Sequence, residues 1–236
     1  MAALEVSGRR FEVDAAMVDL DGTMVDTLGD FTEALGRMLA ELGLPAIGAG
    51  LIEQMVGKGS EHLLNSVLNR VLGQNGQAID ATEIEALYAR AWPAYQRHYR
   101  AINGQYAQIY PGVHEGLESL VNAGLRLACV TNKPTAFAET LLAGKGLRAL
   151  FVQVSGGDAF EAKKPDPLPL LRTCDALGAQ PARTLMIGDS ANDAQAARAA
   201  GCPVLLVTYG YNHGRPAREV DADAWVDSLA ALVHCA

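Results

Sequence analysis

The sequence has few cysteines. The four present (Cys129, Cys174, Cys202 and Cys235) lie far apart, with no C-x-x-C pair. Such spacing gives no disulfide framework and predicts reduced thiols in a cytoplasmic protein. No long apolar run occurs, although half the residues are hydrophobic, so a soluble globular chain is expected and no membrane span. Residues 1–10 carry no apolar stretch of signal-peptide type. Basic residues are in deficit: 27 acids face 19 lysines and arginines, for a net charge of −8. That balance argues against nucleic acid or an anionic membrane as partner. An anionic small substrate is still allowed, because the charge inside a cleft matters more than the total. The five histidines show no metal-ligand spacing, and no internal repeat or low-complexity linker appears. At 236 residues the chain can hold one sizeable core, or a core with a smaller insert.

What the sequence does contain is concentrated at Val18-Asp19-Leu20-Asp21-Gly22-Thr23. The apolar run Ala15 to Val18 predicts a buried strand that ends abruptly in two carboxylates. Side chains alternate along an extended segment, so Asp19 and Asp21 can point to the same side. Gly22 permits the sharp turn away from the strand end. Two converging carboxylates in a buried crevice need a cation, and a hard divalent ion prefers oxygen ligands. A carboxylate held without neutralisation is also a nucleophile toward phosphorus.

Downstream, Thr27 and Asp30 have the spacing of a capping box, with Asp in place of the usual Glu. Leu28, Phe31, Leu35, Met38, Leu39 and Leu42 recur at helical spacing until Gly43 and Pro45. Further helices are predicted over Ala49–Val56, from Ser60 to Gly73, and from Asp80 toward Tyr99, where Pro93 should kink or split the last. Residues 28–107 contain no strand pattern and are too many for a simple crossover. They predict an inserted helical domain acting as a lid, with residues 1–27 and 108–236 forming the main domain. After Tyr110-Pro111-Gly112, strands and helices alternate. Strands are expected at Leu125–Val130, Leu150–Val154, Thr184–Ile187, Val204–Val207 and Ala224–Val226. Alternation of this kind predicts a parallel sheet with helices on both faces.

In such a sheet the carboxyl ends of the strands share one crevice. Those ends carry Asp19 and Asp21, then Thr131, Asn132 and Lys133, then Asp189, Ser190 and Asp193, with Lys164 on a nearby loop. The set suits a divalent cation and a phosphoryl group. The chain here resembles the haloacid dehalogenase superfamily, in its phosphatase branch with a helical cap. Four family motifs appear in order: Asp19-Leu20-Asp21-Gly22-Thr23; Val130-Thr131-Asn132; Lys164-Pro165; and Gly188-Asp189-Ser190-Ala191-Asn192-Asp193. The run Val130 to Pro134, with Gly57-Lys58-Gly59 and Gly210-Tyr211-Asn212, is similar to bacterial phosphoglycolate phosphatases.

The resemblance implies a Rossmann-like doubly wound α/β core with an all-helical cap. It also implies Mg²⁺-dependent hydrolysis of a small phosphomonoester, above all 2-phosphoglycolate. Asp19 would be the nucleophile and Asp21 the acid and base. Thr131, Asn132 and Lys164 would hold phosphate oxygens. Mg²⁺ would take Asp19, the backbone carbonyl of Asp21, and Asp189. Asp193 has two readings, as a metal ligand or as a support for that shell, and it also fits a cap box with Ser190. Lys58 is either a solvated loop lysine or a reader of the substrate's carboxylate. Other outcomes from the same motifs are a mutase, or a phosphatase for a sugar phosphate or pyrophosphate. From another class comes a phospho-acceptor signalling module. A monomer or homodimer is expected.

Overall fold

A computed structural model describes residues 2–73 and 81–235. The chain opens with a hairpin the sequence pattern does not announce. Strands β1 (Ala2–Val6) and β2 (Arg9–Val13) pair antiparallel across Ser7 and Gly8, both at positive φ. That geometry matches the twist of the flanking strands. Strand β3 (Ala15–Val18) follows, buried along its whole length. The short strand β4 (Val25–Asp26) pairs with β5 (Gln108–Ile109), so the outgoing and returning chain run side by side there.

Between those two strands the described residues form helices joined by loops, with no strand. They form α1 (Leu28–Glu41), α2 (Ala49–Glu53), α3 (Ser60–Leu72) and α4 (Ala81–Ile102). Phe31, Leu35, Met38, Leu64, Tyr95 and Tyr99 lie in a hydrophobic cluster of their own, which the main domain enters only through Phe137 and Tyr211. This is the helical cap. Helix α2 is shorter than expected, and α4 runs through Pro93. Asp80, the expected helix start, lies outside the described residues.

The predicted capping box at Thr27 does not form. The Thr27 Oγ1 hydroxyl donates to Asp21 Oδ1 at 2.8 Å instead. Asp30 is fully buried and needs stronger partners than a helix cap supplies. It accepts the backbone N–H groups of Gly104 (2.6 Å) and Tyr106 (2.8 Å) and so ties α1 to the end of the cap.

The return leg alternates helix and strand: α5 (Val113–Asn122), β6 (Arg126–Val130), α6 (Thr135–Gly144), β7 (Gln153–Ser155), α7 (Leu168–Leu177), β8 (Thr184–Gly188), α8 (Ala191–Ala200), β9 (Val204–Val207) and β10 (Ala224–Val226). Strand β7 begins later than predicted because residues 148–150 close a single tight turn. A last strand, β11 (Val233–Cys235), pairs with β1. The main sheet is parallel, in the order β10-β9-β8-β3-β6-β7. Alternating residues of β3 serve two cores. Ala16 and Val18 pack in the cluster that holds α5 and α6, while Ala15 and Met17 pack in the one with α7 and α8. The chain winds from β3 outward to β7 and then returns to β8 on the other side of β3. The ends of β3 and β8 therefore flank the point where winding reverses, where open α/β sheets bind ligands.

Candidate active site

Asp19 continues the β3 ladder by donating its N–H to Ile187 O at 2.9 Å. The chain then turns at once: Leu20 O accepts from Met24 and Val25, and Gly22 sits at φ +82°. A Cβ on Gly22 would come within 2.5 Å of Asp189 Oδ2, so the turn needs glycine for space as well as for φ. The turn packs the first aspartates against Asp189 at the end of β8. Carboxylate oxygens of Asp19, Asp189 and Asp193 lie within 4.8 Å of one another, and all three residues are buried.

One buried cation faces them. Lys164 Nζ lies 3.0 Å from Asp19 Oδ1 and 2.7 Å from Asp193 Oδ1, and it donates to Val130 O at 2.7 Å. Its contact with Asp19 falls outside hydrogen-bonding geometry, so Asp19 Oδ1 is a buried acceptor with no hydrogen-bond partner. Burial pushes the Asp19 carboxyl up to about 6; Lys164 opposes the rise, and Asp193 and Asp21 add to it. Burial, then Asp193 and Asp19, push Asp189 well above the usual carboxylate range. Burial would lower the Lys164 ammonium, but Asp19 and Asp193 outweigh it and hold it above its ordinary value. Three carboxylates against one ammonium leave an excess of negative charge in a water-poor place. An all-oxygen donor set with an orphaned acceptor fits a metal ion.

The remaining predicted residues divide by what their atoms already do. Asp193 is fully engaged. Its Oδ1 takes Lys164, and its Oδ2 accepts Ser190 N (3.1 Å), Ser190 Oγ (2.8 Å) and Asp189 N (3.3 Å). Asp189 is held by Tyr211 N at 2.7 Å and, more weakly, by Thr23 Oγ1 at 3.4 Å. Thr131 is buried, and its Oγ1 accepts Lys133 N at 3.2 Å. The two donors of the Asn132 side chain go to Lys164 O (2.8 Å) and Gly57 O (3.1 Å), which clamps the lysine loop to the cap. Lys58 is exposed. With His62, Lys163, His213 and Arg215 it lines a pocket of about 800 Å³ that reaches Lys164.

Two residues that the sequence placed near the crevice without a defined role belong to the site. Lys133 is buried, and its Nζ meets the Asp21 carboxylate at 2.9 and 3.2 Å. The same ammonium lies 4.7 Å from the ring centre of Phe31 and 4.9 Å from that of Tyr99, both cap residues. The signal was its place in Thr131-Asn132-Lys133, the polar end of a buried strand. Tyr211 donates its hydroxyl to Asp26 Oδ1 (2.8 Å) and accepts Thr27 N (2.7 Å), so the loop that holds Asp189 also holds the entry to the cap.

A parallel sheet with this topology, a helical insert after β3 and a buried Asp–Lys cluster at the switch point define a class of hydrolase. A sequence model of that class, described as haloacid dehalogenase-like hydrolase, matches residues 16–207, and the chain belongs to this family. Among its relatives, the phosphoglycolate phosphatase of Thiobacillus denitrificans is 46% identical over 193 residues, covering 82% of each chain. A plasmid-borne phosphoglycolate phosphatase of Cupriavidus necator is 45% identical over 83% of this chain and 80% of its own. The crystal structure of a predicted phosphoglycolate phosphatase from Haemophilus somnus superposes with a TM-score of 0.86 at 31% identity, covering 93% of this chain and 96% of that one. Among the described residues no helix is long and apolar enough to cross a membrane.

Proposed function

We propose that this protein is a Mg²⁺-dependent phosphatase that hydrolyses 2-phosphoglycolate to glycolate and phosphate through an aspartyl-phosphate on Asp19. The observation that carries the reading is Asp19 Oδ1: a buried carboxylate oxygen, free of hydrogen bonds, beside Lys164 and two further buried aspartates. No backbone N–H among the described residues ties it up, and Lys164 at 3.0 Å supplies charge. Relatives named for phosphoglycolate support the substrate.

In the first half, Asp19 attacks phosphorus and the bond from phosphorus to the ester oxygen breaks. Asp21 gives a proton to the leaving glycolate oxygen. In the second half, Asp21 takes a proton from the attacking water, phosphate leaves and Asp19 is regenerated. Lys164 and Thr131 hold phosphoryl oxygens. Both side-chain donors of Asn132 are in use, which leaves its backbone N–H for that task. Bound by Asp19, Asp189 and the Asp21 carbonyl, Mg²⁺ supplies the charge that lets a carboxylate meet a phosphate dianion. Asp193, with both oxygens occupied, supports Lys164 rather than the ion. Residues 28–107 close over the site as the cap, and Lys58 draws the anionic substrate to its mouth. We propose a cytoplasmic monomer or homodimer, a setting supported by the unbridged, buried Cys129, Cys174 and Cys202.

The test is a panel of phosphomonoesters with Mg²⁺. Phosphoglycolate should give equal glycolate and phosphate, and a chelator should stop turnover. A higher kcat/KM for a hexose phosphate would move the protein to another substrate class.

Two further results are expected. Asp21→Asn should slow both formation and breakdown of the phosphoenzyme, with turnover falling about 10²–10⁴-fold. Rapid-quench labelling would separate the two steps; an effect on only one contradicts the dual role. The second concerns stability. A carboxyl that binds its proton more tightly when folded makes the fold lose stability as pH rises, here between the ordinary 3.8 and about 6. A cation that takes the proton's place reverses that loss. Mg²⁺ at about 100 times its Kd should add about 2.7 kcal/mol, or about 5–10 °C in Tm, near pH 8 and much less near pH 5. Equal shifts at both pH values in a thermal melt contradict a site built on these carboxyls.

A further inference from the structure

We propose that buried Lys133, rather than exposed Lys58, is the cation that reads the substrate's carboxylate. The inference rests on the phosphoglycolate reading above and adds the residue that makes the enzyme select an acid. The loop Gly57-Lys58-Gly59 divides two spaces. Its outer side carries Lys58 and the open basic pocket. Its inner side bounds an enclosed cavity of about 20 Å³ among Asp21, Lys133, Phe31, Val56, Ser60 and Leu63.

Lys133 is 4% exposed and comes from the core, yet its ammonium rests on two cap rings. An ammonium has three donors, and among the described residues its one carboxylate partner is Asp21. Asp21 must touch the ester oxygen to do its work. A group 2.9 Å from Asp21 therefore stands next to whatever is bonded to that oxygen. In 2-phosphoglycolate the carboxylate is one carbon away and falls on the Lys133 side.

The rest of the cavity suits an anion of that size. Ser60 begins α3, whose first N–H groups have no partner inside the helix. Among the described residues the buried Tyr99 hydroxyl has no hydrogen-bond partner. The Tyr95 ring lies 5.6 Å from that of Tyr99, one of the two rings on which the Lys133 ammonium rests. Phe31, Val56 and Leu63 line the rest of the cavity, whose volume of about 20 Å³ leaves no room for a sugar ring. Asp21 takes two contacts of the Lys133 ammonium, and the third donor is left for the substrate: a carboxylate there gains a charge-assisted bond in a water-poor place, which a hydroxymethyl group cannot match.

The test compares 2-phosphoglycolate with ethylene glycol monophosphate, which is as long but carries a hydroxymethyl group in place of the carboxylate. Wild type should prefer the acid by at least about 10-fold in kcat/KM. Lys133→Met keeps the stem against the rings and removes the charge. It should lower both rates through Asp21, and lower phosphoglycolate by a further 10- to 100-fold or so, erasing the preference. Lys58→Ala should lower both substrates equally. Equal losses in Lys133→Met, or a lost preference in Lys58→Ala, overturn the assignment. The wild-type ratio needs no variant to fold, and a ratio near one overturns it as well. Failure of wild type on every phosphomonoester would instead sink the phosphatase reading itself.

Discussion

Asp19→Asn should leave a folded protein with no turnover and no phosphoenzyme, a loss of about 10⁴-fold or more. The amide is nearly isosteric, so Lys164 keeps Asp193 and Val130 O as partners and the ladder bond from Asp19 N to Ile187 O is untouched. Only the proposed nucleophile is removed. Because burial and neighbouring carboxylates make the Asp19 charge unfavourable in the protein without metal, the variant should melt no lower than wild type in chelator. Inactivity together with retained Tm separates a chemical role from a structural one. A fall in Tm would mean that Asp19 carries fold stability through its ion pair.

Lys164→Met should do the opposite and damage both. Among the described residues its ammonium is the one fixed cation beside Asp19, Asp189 and Asp193, and it is 3% exposed. Removing one partner of a buried ionic cluster leaves charge uncompensated and costs about 3–5 kcal/mol. For a chain of this size that is about 10 °C in Tm. Activity should fall about 10³-fold, since an oxyanion-type contact is lost along with the clamp on Asp193. Saturating Mg²⁺ should recover part of the Tm but little of the rate, because an ion can replace the charge but not the placed donor. Recovery of both would show that Lys164 serves only as bulk positive charge.

The site was legible in the sequence wherever its chemistry sits at a strand end. Ala15 to Val18 are apolar and stop at Asp19, and Thr184 to Gly188 stop at Asp189, so local pattern and motif order pointed to one crevice. What stayed hidden depends on partners distant in the chain. Thr27 and Asp30 have capping spacing, but Asp21 and the backbone of Gly104 and Tyr106 compete for them and win, because they are buried and charged or unpaired. Lys133 stands at a strand end in the sequence, but its surroundings are hidden until α1 and α4 bring Phe31 and Tyr99 beneath it. The hairpin of β1 and β2 is completed by β11 from the far end of the chain, a pairing no local periodicity records. Lys58 drew notice because two glycines flank it, yet the same glycines turn the loop so that its side chain faces out.

The most direct test is to find the phosphoryl group in transit. Asp21→Asn should accumulate the intermediate when its second half is slowed. Mixing that variant with phosphoglycolate labelled in its phosphate, quenching in acid and mapping the peptides should place the label on Asp19, at a level approaching one per active chain. Turnover that continues with no label on protein, or label on any residue other than Asp19, would contradict the account.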